Sequence, residues 1–352
     1  MHGLLGGRLR GGLSISDGVA MDELITLDYG SGGKKTARLI EEYIVPAFEN
    51  PALRALGDGA LLSGAEKLVF STDSFVVDPI FFPGGDIGRL AVCGTVNDLC
   101  MGGGTPKYLS CALILEEGLP LRDLERVLAS MRAAADEAGV QIVTGDTKVV
   151  ERGRGDKIYV NTAGVGFLEH PGLCPDAIRP GDAVLVSGTI GDHGTAIMLA
   201  RSGMLQSDLC SDCAPLGALC EAMFETGAAI RVLRDPTRGG VATTLCEFVE
   251  GRSFGIELQE EALPLRGEVQ AACALLGLDP LYCANEGKLL CVVAPEDAER
   301  LLAAMRRRPE GKDAVCIGTV TERYPGRLTL QTAPGGSRML QKLSGAQLPR
   351  IC

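Results

Sequence analysis

Tryptophan is absent from this chain, and only three histidines occur in its 352 residues: His2, His170 and His193. Zinc centres draw on His and Cys, so this supply argues against one. A zinc knuckle needs a second CxxC, but Cys210-Ser211-Asp212-Cys213 stands alone and reads as a loop with two ordinary thiols. Positive charge is also short. Lys and Arg number 34 against 45 Asp and Glu, a net charge of −11, which leaves no clustered basic surface for nucleic acid. No run of 18 apolar residues appears, so no membrane span is expected. Met1–Ala20 is glycine-rich and lacks the apolar stretch of a signal peptide; it is expected to be a flexible extension. The 13 cysteines are odd in number, scattered and often within apolar runs, as at Cys111, Cys246 and Cys291. Reduced thiols in a cytoplasmic protein are the economical reading.

The chain is 46% hydrophobic and long enough for about two domains. In the first half, strands are expected at Lys67–Val77, Val140–Thr144 and Lys157–Phe167, and helices at Lys35–Val45, Asp86–Met101 and Pro120–Ala138. Three prolines in His170–Asp182 suggest an interdomain linker. Strands at Ala183–Ser187, Lys288–Val293 and Ala314–Thr321, with helices at Val241–Glu250 and Pro295–Arg307, fill the second half. The expected division is an extension over 1–20, a nucleotide-binding domain over 21–170, a linker over 171–182, a second α/β domain over 183–332 and a mobile tail over 333–352.

Several aspartates stand at chain turns beside glycine or at the ends of elements: Asp58, Asp73, Asp98, Asp146 and Asp235. Hard cations such as Mg²⁺ take carboxylate oxygens and usually keep water and substrate phosphate as further ligands, so this group suggests a magnesium–nucleotide site. Asp28-Tyr29-Gly30-Ser31-Gly32-Gly33-Lys34-Lys35-Thr36 is a glycine-rich loop before a helix, able to wrap backbone N–H groups and a lysine around phosphate. It is not a Walker A loop, since Asp28 stands at the first glycine position and Lys35 follows Lys34. Lys148 follows Asp146 at a strand end, and Glu286 precedes an apolar strand. Beside a nucleotide and a reactive thiol they would serve as electrophilic stabiliser and general base. The chain ends in Cys352, after a Pro-Gly-Gly hinge at 334–336. A thiol at the end of a mobile tail is suited to carry a covalent group between sites.

Together the motifs Asp28–Lys34, Gly57–Ala60, Ser71–Asp73, Val96–Gly103, Thr144–Lys148, Asp235–Gly240, Asn285–Gly287 and Pro349–Cys352 resemble the hydrogenase-maturation carbamoyl dehydratases. These belong to the aminoimidazole-ribonucleotide-synthetase-like superfamily. The resemblance runs from about Thr26 to Cys352. It implies a two-domain α/β fold whose N-terminal domains pair through a β-barrel in a homodimer. It implies ATP with Mg²⁺, held by Gly30, Gly32, Gly33, Lys34, Asp58, Asp73, Asn97, Asp98, Asp146, Thr147 and Arg238, with Asp235 joining the aspartates as a metal ligand. It further implies that Cys352 takes a carbamoyl group from the carbamoyltransferase HypF and that ATP-driven dehydration turns the thiocarboxamide into a thiocyanate. The cyanide ligand then passes to iron on the HypC–HypD scaffold, for the [NiFe]-hydrogenase site. Lys148 and Glu286 take the catalytic roles. The alternatives are a sibling ATP-using enzyme acting on a small molecule, or a nucleotide-switched assembly factor without catalysis.

Overall fold

Alternating burial along four strands builds the first sheet. The computed structural model describes residues 23–57, 59–203, 207–343 and 345; the extension over 1–20, Asp58 and Cys352 lie outside the described residues. The strands are β1 (Leu68–Phe75), β2 (Gly104–Glu116), β3 (Gln141–Val150) and β4 (Ile158–Leu168). Their order is β1-β4-β2-β3, and only β2 and β3 run parallel. Gly145 on β3 is required by close approach, because a Cβ there would run into the Cys111 carbonyl of β2. One face packs on helices α1 (Ile87–Met101) and α2 (Leu121–Ala138). Asp86 starts α1 by accepting hydrogen bonds from the N–H groups of Gly88 and Arg89 at 2.8 and 3.0 Å. Gly139 ends α2 in the left-handed conformation, at φ 68°. The opposite face presents Leu68, Phe70 and Ile114 at 52%, 67% and 41% exposure.

The second sheet has seven strands: β5 (Ala183–Val186), β6 (Ile230–Arg234), β7 (Gly255–Gln259), β8 (Leu290–Val293), β9 (Val315–Thr321), β10 (Leu328–Gln331) and β11 (Ser337–Leu340). Their order is β11-β10-β7-β9-β5-β8-β6. Every residue of β5 and β8 is buried, as expected for strands covered on both faces. One apolar cluster joins the two halves, with Leu90 and Val96 of α1 in the same core as Leu185, Leu233 and Met305. Full burial of each such side chain contributes about 1.5–3 kcal/mol.

The strand β11 falls within the stretch that the sequence assigns to the tail. It pairs antiparallel with β10 and buries Leu340. Beyond it, the Tyr282 hydroxyl donates to the Gln341 carbonyl at 2.8 Å, and Lys342 pairs with Glu250 at 2.6 Å. Arg338 pairs with Asp279 at 2.8 Å.

Candidate functional site

Two groups of polar residues lie at opposite edges of the first sheet. At the β3 edge, the glycine-rich loop folds on itself. Thr36 Oγ1 donates to the Asp28 carbonyl at 3.2 Å and accepts from the Gly32 N–H at 3.0 Å. Gly32 sits at φ +79°, a conformation that favours glycine. Gly33 caps a helix that begins at Lys34, whose side chain is exposed. The loop lies against β3 so closely that a Cβ on Gly30 would come 2.7 Å from Val149 N. Between them is a cavity of about 350 Å³, in the range of small-molecule sites. Gly30, Gly32, Asp146, Thr147 and Lys148 line one side, and Ile40, Ile44, Phe48 and Leu53 supply an apolar wall. Gly57 and Gly59, the neighbours of Asp58, also line it. Lys148 Nζ lies 2.9 Å from Asp146 Oδ2, and this contact, aided by the Thr147 N–H, holds the Asp146 carboxyl below the usual range.

At the β1 edge, carboxylates from both halves converge. Asp73 and Ser71 point inward from β1, and Asp98 projects from α1. Asp235 follows β6, and Glu286 precedes β8. Ser71 Oγ donates to Asp98 Oδ2 at 2.6 Å. Arg238 reaches across from the second half to 3.9 Å from Asp73 Oδ1. Burial pushes the Asp98 carboxyl up, with Asp73 adding repulsion. Burial and then Asp98 push Asp235 up to about 7. Glu286 is 3% exposed, and its Oε1 has no hydrogen-bond partner among the described residues. Its affinity for a proton is raised well above the ordinary value, first by burial and then by Asp235, Asp212 and Asp73.

These shifts have a sign in stability. Asp235 keeps its proton in the folded, metal-free protein up to about pH 7, whereas the unfolded chain releases it near the ordinary carboxylate value. The stabilisation is complete below that value and is lost as pH rises through the folded one. Asp98 and Glu286 act in the same direction. Chelator-treated protein is therefore expected to show a higher urea midpoint at about pH 5.5 than at about pH 7.5. A midpoint that rises across that interval would refute the assigned burial of these groups.

The two groups share a row of the sheet. Asp73 pairs with Thr162, Thr162 with Cys111, and Cys111 with Gly145, so Asp73 and the Asp146 region are three strand spacings apart, about 14 Å. Of the aspartates expected as metal ligands, Asp73, Asp98 and Asp235 thus lie at the β1 edge and Asp146 at the β3 edge, while Asp58 lies outside the described residues. Among the described residues, no group of three or more His, Cys, Asp or Glu side chains is arranged to hold a metal. One or two carboxylates facing a nucleotide phosphate remain the arrangement that suits magnesium. Asn97 is 1% exposed, and its side chain is taken up by backbone. It donates to the carbonyls of Ala214 and Glu286 at 3.1 and 3.2 Å and accepts from the Leu216 N–H at 2.8 Å.

Asp212 and Lys288 also belong to the Glu286 surroundings, and the sequence does not single them out. Asp212 is masked by the CxxC it sits in, whose thiols diverge: Cys210 is exposed and Cys213 buried. The only signal was a lysine two residues after Glu286, in a strand otherwise apolar.

Comparison with known proteins identifies the class first. The N-terminal domain of AIR synthase related proteins matches residues 56–168, and the C-terminal domain of the same proteins matches residues 179–331. The chain therefore has the two-domain α/β fold of that class. It is also 50% identical over 332 residues to the carbamoyl dehydratase HypE of Azotobacter vinelandii, covering 93% of this chain and 97% of that protein. With the Escherichia coli carbamoyl dehydratase HypE the identity is 47% over 338 residues, covering 93% and 99%. A solved structure of a hydrogenase maturation protein HypE in complex with ATP superposes with a TM-score of 0.89 at 52% identity, over 93% of this chain and 99% of that one. A HypE–HypF complex matches with a TM-score of 0.76 at 48% identity, over 87% and 99%. The chain belongs to the HypE family of carbamoyl dehydratases. No helix among the described residues is long and apolar enough to cross a membrane.

Proposed function

We propose that this protein dehydrates a carbamoyl group carried as a thiocarboxamide on Cys352, using ATP, and yields a thiocyanate for the iron of [NiFe]-hydrogenase. The observation that carries this reading is Glu286, a buried carboxylate with a free oxygen among Asp73, Asp212 and Asp235. Forming a nitrile from a primary carboxamide requires removal of two N–H protons and loss of the oxygen. A buried carboxylate of high proton affinity is suited to take the protons. The oxygen is a poor leaving group until it is phosphorylated, which is the part ATP supplies. Lys148, which lines the cavity beside Asp146 and not the β1-edge carboxylates, would meet negative charge on the nucleotide phosphate. Gly30, Gly32, Gly33, Lys34 and Thr147 would bind the nucleotide there. Arg238 beside Asp73 would bring a charge from the second half. Mg²⁺ on Asp73 or Asp98 together with phosphate would neutralise the β1-edge carboxylates.

One relative also supports a partner, HypF. A HypE has been solved with HypF, the proposed donor of the carbamoyl group, and HypC–HypD is the proposed acceptor of cyanide. The exposed Leu68, Phe70 and Ile114 face of the first sheet suits a second copy of the chain, giving a barrel-paired homodimer. A monomeric mass in solution would remove that part of the reading.

The test is intact-protein mass spectrometry after incubation with carbamoyltransferase, carbamoyl phosphate and ATP. Wild type is expected to gain roughly 25 Da, CN replacing H, and Cys352→Ala nothing. A gain that stops at roughly 43 Da would mean loading without dehydration, and no adduct on ATP-binding protein would favour a sibling enzyme or a nucleotide-switched assembly factor.

A further inference from the structure

The Glu286 carboxylate has a free oxygen, yet its backbone is held on both sides. Its N–H donates to Asp212 Oδ1 at 3.0 Å, and its carbonyl accepts from Asn97 at 3.2 Å. Lys288 Nζ lies 3.2 Å from Asp212 Oδ2 and donates to the Gly287 carbonyl at 3.2 Å. The Asp212 and Lys288 side chains are 3% and 12% exposed. On the other flank, Asn285 accepts from the Gly191 N–H at 2.7 Å and donates to the carbonyls of Pro236 and Cys283 at 2.9 and 3.1 Å. A buried ion pair adds little net stability, because desolvation offsets most of its attraction. Its use here is directional. Lys288 pairs with the Asp212 carboxylate by distance, without a hydrogen bond at Oδ2 among the described residues, while Oδ1 accepts from a single N–H, and charge-assisted hydrogen bonds are the stronger kind.

We propose that Asp212 and Lys288 are positioning residues for Glu286, Asp212 anchoring its peptide N–H and Lys288 holding Asp212 in that orientation. The inference rests on Glu286 being the base. Asp212 lies in the same segment as Ala214 and Leu216, which Asn97 ties to α1. The anchor therefore holds the Glu286 backbone against α1 at Asn97. A displacement of about 1 Å at such a site costs about 100-fold in rate.

The experiment is single-turnover dehydration of pre-loaded protein, followed by the conversion of the thiocarboxamide adduct. Asp212→Ala is expected to slow it about 100-fold, with ATP affinity and carbamoyl loading within about threefold of wild type. Asp212→Asn keeps an acceptor oxygen for the Glu286 N–H and is expected to return the rate to within about tenfold of wild type. Glu286→Gln is measured beside them. If Glu286→Gln turns over normally, the base assignment fails and the inference goes with it. If Glu286→Gln is inactive and Asp212→Ala runs at the wild-type rate, the positioning role is overturned while the base stands. Equal losses in Asp212→Ala and Asp212→Asn also overturn it, since the hydrogen bond would then not be what matters. Should Asp212→Ala fail to fold, Asp212→Ser, too short to reach the N–H, takes its place with the same expected loss.

Discussion

Glu286→Gln is expected to slow dehydration by about 10²–10⁴-fold, the usual contribution of a general base, while Cys352 still accepts its carbamoyl group. The substitution is nearly isosteric, and burial makes its consequence specific. Glu286 is 3% exposed, so bulk water has poor access to replace the lost base. The neutral amide also relieves the repulsion from Asp235, Asp212 and Asp73, so the variant is expected to be no less stable than wild type at neutral pH. The signature is a protein that accumulates the adduct of roughly 43 Da and does not proceed to roughly 25 Da. Wild-type conversion in Glu286→Gln would move the base elsewhere, and a failure to load would give Glu286 a part in meeting the carbamoyl donor.

The next residue carries the second large effect. A Cβ on Gly287 would run into the Asp212 carbonyl and come 2.9 Å from Ala214 N, both backbone atoms that cannot swing aside. Gly287→Ala must therefore displace either the Glu286 turn or the 212–214 segment, and overpacking of this kind costs about 1–3 kcal/mol. Loss of register at Glu286 is expected to lower turnover by about 100-fold in the molecules that fold. Urea denaturation and single-turnover rate together check this. A variant with a wild-type midpoint and rate would mean that the two segments separate easily.

The glycine-rich loop and the acidic residues were legible because each forms a short, local motif. Asp73, Asp98 and Glu286 each stand beside a serine, glycine or asparagine, Asp235 stands between a strand and Pro236, and the structure gathers these four at one edge. That Asp146 and Lys148 sit at the other edge was not legible. It depends on β4 and β2 intervening between β1 and β3, a matter of strand order rather than spacing. The strand β2 itself was missed. Its glycine-rich entry reads as a helix stop, and apolar residues on its open face, Ala112 and Ile114, blur the alternation. Asp212 was hidden for a related reason: its role comes from a contact 74 residues away. The edge strand β11 lies beyond a Pro-Gly-Gly stretch that reads as a hinge and is the turn of a hairpin, and only its partner β10 shows it to be part of the sheet.

That edge strand puts a length on a leash. Among the described residues Lys342 is the last with a side-chain ion pair, and ten residues follow it in the sequence, Cys352 included. Fully extended, they reach about 35 Å at most. A thiol held within that distance would, on the proposed function, stand at a local concentration of about millimolar order, far above that of most free thiols competing for the same carbamoyl donor. On the proposed function, any enzyme that loads it must bring its own active site within that radius. The Tyr282–Gln341 knot would then fix how far the two proteins stand apart while the group changes hands.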